Sequence, residues 1–168
     1  MNRLLRILKH RWLDPRDAER ALGKGTLARI EARVGASEKR HSGEIRVCVE
    51  AGLPLSYLWK HLSARDRAIT LFGKLRVWDT EANNGVLIYL LLAEHAIEIV
   101  ADRGLARHVP AQKWQTIVAG MREAFRAGHH EEGLDAAIAA VDALLVQHFP
   151  LAAGTANPNE LSNKPFVI

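Results

Sequence analysis

Apolar and polar positions along the 168-residue chain change period several times, and each change marks an element. Leu4, Leu5, Leu8 and Trp12 recur at helical spacing opposite Arg3, Arg6, Lys9 and His10, which predicts a short basic amphipathic helix. Asp14-Pro15 breaks it. Thr26 is positioned to cap a second helix that carries Leu27, Ile30 and Val34 inward and ends near His41-Ser42-Gly43. From Glu44 the pattern alternates and becomes β-branched through Val49, a strand with one polar side, closed by Gly52 and Pro54. Ser63-Ala64-Arg65-Asp66 reads as a capping box for a helix burying Ala68, Leu71, Phe72 and Leu75.

Trp78 to Gly85 is a polar loop, with Trp78 expected to anchor in the core. Val86 to Leu92 follows as a buried central strand; residues 93–96 reverse the chain, and Ile97 to Val100 return as the hairpin partner. Pro110 suits the first position of a helix burying Trp114, Ile117, Val118, Met121 and Phe125. Beyond Gly128, Leu134, Ile138, Val141, Leu144 and Leu145 line the last long helix. This order predicts an α/β fold: a small mixed β-sheet with helices on both faces, an α/β/α sandwich, plus the basic N-terminal amphipathic helix. The expected division is an N-terminal extension over 1–25, the α/β/α domain over 26–150 and an extended tail over 151–168.

Charge is uneven. Residues 1–40 carry 11 Lys/Arg against 5 Asp/Glu, and residues 41–168 carry 12 against 14. The body is thus no basic nucleic-acid reader, and no nucleic-acid partner is expected. The basic helix either packs on the body or makes a peripheral contact with an anionic membrane through residues 1–12. Charges interrupt its leucines, so it lacks the apolar centre of a signal peptide, and the default expectation is a cytoplasmic address. The single cysteine, Cys48, lies in an apolar run and reads as a buried thiol.

The run Asn83-Asn84-Gly85-Val86-Leu87-Ile88-Tyr89-Leu90, followed by Ile97 to Gly104, resembles the TPM domain family. So do Ala124 to Gly128 with Glu132-Gly133-Leu134, and Gly43-Glu44-Ile45-Arg46-Val47 as the first strand. The likeness spans residues 26–150 and is to a stand-alone bacterial branch. It implies a fold of the kind already read. The family includes a thylakoid-lumen protein linked to photosystem II repair and acid phosphatase activity, and some members bind calcium or magnesium. The resemblance therefore implies a Ca²⁺ or Mg²⁺ site on an interaction or assembly module with a protein partner, or alternatively a metal-dependent acid phosphatase acting on phosphomonoesters.

A right-handed crossover would make the strands at 44–49 and 86–92 parallel, and the hairpin would bring its end back to their starts. Glu44, Asp79, Glu81, Asn83, Asn84 and Asp102 then converge on one sheet edge. Carboxylate and amide oxygens are what a hard cation requires, giving Glu44, Asp79, Asn83, Asn84 and Asp102 as the candidate ligands. The spacing is not an EF-hand, since Asn84 stands at its glycine position and Leu90 at its bidentate glutamate. The competing reading is an Asn-rich turn satisfying its own backbone, with Asp102 paired to Arg103, Arg107 or Arg46. The opposite edge, where parallel strands usually meet ligands, offers only Glu50, Glu94 and His95. His129-His130 beside Glu131-Glu132 reads as a solvated helix start. Ser42, Ser63 and Cys48 have no partners in a nucleophile motif, so a phosphatase would use the ion, with Asp102 or Glu44 as ligand or base and Arg103 on the phosphate.

Overall fold

The computed structural model describes residues 3–12, 16, 20, 22, 23, 25–152 and 158–168, without the side chains of Arg3 and Leu4. The break expected at Asp14-Pro15 lies outside these residues. The most apolar segment, Val-Leu-Ile-Tyr-Leu-Leu, has no polar side to give to solvent and is the central strand. This strand, β2 (Val86–Leu91), is buried at all six positions. It pairs in parallel with β1 (Ile45–Glu50) and antiparallel with β3 (Ala96–Ala101). A short β4 (Phe166–Val167) pairs in parallel with the outer side of β1, giving the order β3-β2-β1-β4.

Side-chain alternation divides the interior into two cores. Ile45, Val47 and Val49 of β1 join Val86, Ile88 and Leu90 of β2 beneath one helical layer. That layer comprises α2 (Thr26–Ser37), α6 (Ala111–Arg126) and α7 (His130–His148). Cys48, Leu87, Tyr89 and Leu91 point the other way, onto α3 (Leu55–Trp59) and α4 (Ala64–Lys74). Two further helices, α1 (Arg3–Arg11) and α5 (Arg103–Ala106), lie at opposite edges of the sheet. The α/β/α sandwich read from the sequence is the fold.

Local details follow the chemistry, with several shifts. The Ser63 and Asp66 capping box is present and opens α4. Thr26 is not a cap: the cap position is Gly25, and Thr26 instead donates its hydroxyl to the Leu22 carbonyl at 2.8 Å. Helix α2 ends at Ser37, short of the expected His41. Pro110 occupies the cap position, one residue ahead of the helix. In α6 only Ile117 and Met121 are fully buried, and Trp114, Val118 and Phe125 pack at the margin. Trp78 is 49% exposed and Val77 is buried in its place. Arg76, at φ 57°, turns the chain after α4 and shifts the inward phase by one residue. The C-terminal segment is not simply a tail, because β4 completes the sheet.

Where β1 ends, Glu50 receives two nitrogens of Arg67, the closest contact being 2.7 Å, and the Tyr89 hydroxyl at 2.6 Å. All three side chains are buried. Both oxygens of Glu50 have donors, which is the condition under which a buried charge is tolerated. Burial pushes the Cys48 thiol up to about 12, as befits an inert core cysteine.

Candidate functional site

The edge where β1 and β2 begin and β3 ends is crowded by glycines. A Cβ on Gly85 would lie 1.9 Å from the Val77 carbonyl oxygen, and one on Gly104 would lie 2.4 Å from that of Asn83. The loop between α4 and β2 therefore presses directly on the turn after β3. Backbone bonds seal this contact: Gly104 N–H donates to Asn83 at 2.8 Å and Asp102 N–H to Gly85 at 2.9 Å. On the other side, Val86 N–H donates to the Glu44 carbonyl at 2.8 Å. Glu44, Asn84 and Asp102 thus share one edge.

Asn84 is fully buried; its N–H donates to Thr80 Oγ1 at 3.1 Å and its Nδ2 to Ser42 Oγ at 3.2 Å. Asp102 is buried and caps α5, its Oδ1 accepting from Arg103 N–H at 2.7 Å. Asn84 Oδ1 and Asp102 Oδ2 are both inaccessible and receive no hydrogen bond from the protein. Asn83 is exposed and adopts φ 52°, using its carbonyl, not its side chain, in the turn. Asp79 faces away and pairs with Arg76 at 2.5 Å. Glu81 is exposed, and its N–H meets the Glu160 carboxylate at 3.1 Å. Among the described residues no group of three His, Cys, Asp or Glu side chains is assembled to hold a metal. Any cation here would rely on amide as well as carboxylate oxygen.

Glu44 has a second occupation that nothing local in the sequence signals. Its two oxygens accept the N–H groups of Glu160 and Leu161 at 3.2 and 3.3 Å. Burial raises its pKa to about 7, against the opposing effect of those two donors. Next to it lies Glu38, whose Oε1 accepts from Ile45 N–H at 3.0 Å. Burial also raises Glu38, to about 8, and the nearby Glu44 charge adds to the rise. Arg46 contributes by donating to the Lys164 carbonyl at 2.7 Å. The C-terminal segment is therefore strapped over this edge by Glu44 and Arg46, with Asn163 hydrogen-bonded to Glu38. Arg103, the residue considered for a phosphate, is exposed one position beyond Asp102.

The opposite edge is filled. Glu94 accepts from Arg6 Nε at 2.6 Å and His10 Nε2 at 2.9 Å, while Glu50 is enclosed by Arg67 and Tyr89. The edge where parallel strands usually meet ligands is thus covered by α1.

The chain belongs to the TPM domain family, which it matches over residues 16–144. Among solved structures, the chain resembles the BA42 protein of the psychrophilic bacterium Bizionia argentinensis. The TM-score is 0.72 and the identity 28%, over 84% of this chain and 91% of that one. The N-terminal domain of a protein from P. gingivalis shares the fold at a TM-score of 0.60 and 22% identity, over 78% of this chain and 82% of that one. No curated protein matches the chain. No described helix is long and apolar enough to cross a membrane.

Proposed function

We propose that the amino edge of the sheet binds a divalent cation, Ca²⁺ or Mg²⁺, and that the protein acts as a cation-dependent interaction module. One observation carries this reading. Asn84 Oδ1 and Asp102 Oδ2 are buried at one edge, just before β2 and just after its neighbour β3, with no donor from the protein. A buried acceptor without a partner costs about 1–3 kcal/mol, and more when it is charged. Oxygen ligands for a hard cation are a chemically sufficient reason to retain two of them together. Glu44 lies at the same edge, its two oxygens each accepting one N–H of the C-terminal segment; Asp79 pairs with Arg76, and Asn83 is exposed.

The ion, when bound, supplies charge compensation for Asp102. It should raise the melting temperature at neutral pH by mass action. Asp102→Asn retains an acceptor for the α5 cap while removing the charge, and should abolish most of that increment. Glu94→Gln, at the opposite edge, should leave it intact. If millimolar Ca²⁺ and Mg²⁺ move neither the melting curve nor the amide resonances of residues 79–85 and 102–104, the cation reading is wrong.

A phosphomonoesterase reading is favoured by the exposed Arg103 guanidinium beside Asp102, which suits a phosphate dianion near a bound ion. Phosphate release from a chromogenic monoester, dependent on added ion and lost in Arg103→Ala, would convert the interaction module into an enzyme.

A further inference from the structure

Helix α1 sits on the body with its polar side inward. Arg6 donates to Glu94 at 2.6 Å and to the Leu62 carbonyl at 2.9 Å. His10 is buried, and its Nδ1 accepts from Leu53 N–H at 2.9 Å. That bond fixes the tautomer, so Nε2 carries the proton and donates to Glu94. The approach is close enough that a Cβ on Gly52 would lie 2.6 Å from the His10 carbonyl oxygen. Among the described apolar side chains of α1, Ile7 packs against the core.

The leucine stripe consequently points outward. Leu5 is 59% exposed, Leu8 55% and Trp12 84%. An amphipathic helix on a water-soluble body normally buries this stripe. Here polar contacts hold the helix in the reverse orientation and present its apolar side. Neighbouring α3 adds exposed Leu55 and Trp59. Lys9, Arg11 and Lys60 are exposed and adjoin Leu8, Trp12 and Trp59 in the chain, and the described α1 carries no acidic residue. Leucines and tryptophans flanked by cations match the layered chemistry of a bilayer surface, with apolar depth beneath anionic headgroups.

We propose that the outward stripe Leu5, Leu8 and Trp12, with Leu55 and Trp59 beside it, docks the protein onto an anionic lipid bilayer. The docking does not depend on the cation site, which lies at the other edge of the sheet. The full chain should therefore be tested in chelator, by co-sedimentation with vesicles of phosphatidylcholine alone or mixed with phosphatidylglycerol. Retention is expected on the anionic vesicles at low ionic strength, with release as salt screens the lysines and arginines. Leu8→Asp combined with Trp12→Ser should lower the bound fraction at least about tenfold at unchanged melting temperature, since neither side chain is buried. Ile69→Asp, on the exposed side of α4, should leave retention unchanged. Absence of retention on anionic vesicles would overturn the proposal. Equal retention of the Leu8→Asp/Trp12→Ser variant would overturn the apolar stripe, leaving only charge. A concentration-dependent dimer of the parent chain that this variant dissolves, without vesicle binding, would assign the stripe to a second copy.

Discussion

Replacing Glu38 by Gln should remove a loss of stability that the parent protein suffers between mildly acidic and mildly alkaline pH. The Glu38 side chain is buried, and that burial raises its pKa from 4.5 to about 8. The folded state therefore holds its proton more tightly than the unfolded chain. Stability is greatest at acidic pH near the unfolded value, falls as pH rises above it, and stops falling beyond the folded value. Integrated between about pH 5 and about pH 8, the loss amounts to about 2–4 kcal/mol. Glutamine keeps an oxygen to accept from Ile45 N–H and resembles the protonated carboxyl, so Glu38→Gln should be more stable than the parent at about pH 8 and close to it at about pH 5. Glu44, raised to about 7, contributes with the same sign over a narrower window, so some pH dependence persists in the variant. The assay is urea unfolding across this range in the presence of chelator. Parallel stability curves for parent and variant would refute the assignment of a protonated, buried Glu38.

Three further perturbations probe the packing of the fold. Gly85→Ala places a Cβ 1.9 Å from the Val77 carbonyl and should cost about 2–4 kcal/mol in urea unfolding. Gly120→Ala, on an exposed helical face with nothing within 4 Å, should instead stabilise by about 0.5–1 kcal/mol. Arg67→Met strands the Glu50 carboxylate in the core and should cost about 3–5 kcal/mol; adding Glu50→Gln, which keeps an acceptor for Tyr89, should recover much of that loss when both variants are unfolded thermally.

The parts of the fold legible in the sequence were those whose signals are local. The uninterrupted apolar run at 86–91 demands cover on both faces, and the capping box at Ser63 depends on residues three apart. Other features depend on distant partners. Periodicity identified two faces on α1, but only Glu94 and Leu53, far along the chain, decide that the polar face turns inward. Two paired residues in β4 carry no alternation to read, and their strand exists because β1 offers an open edge. At the candidate site, topology correctly brought Glu44, Asn84 and Asp102 to one edge, whereas Asp79 found a nearby arginine and Asn83 was consumed by its turn. Neither Glu38 nor the strap at Glu160 and Leu161 had a motif, because a buried acid accepting backbone N–H groups can follow any helix.

The two edges of the sheet explain one another. Open α/β sheets commonly bind ligands at the carboxyl ends of parallel strands, yet here the acids at that edge are already neutralised, Glu50 by Arg67 and Glu94 by Arg6. The Glu94 pairing holds α1 in place, and both acids are already occupied. At the other edge Glu44 and Asp102 accept from backbone N–H groups, and among the described residues no cationic side chain pairs with either. An added cation therefore has much more to gain at the amino edge. If α1 also rests on a bilayer, the geometry turns that amino edge away from the lipid, toward water and any soluble partner. Membrane docking and cation binding would then act at opposite ends of one rigid sheet, and each can be removed by mutation without touching the other.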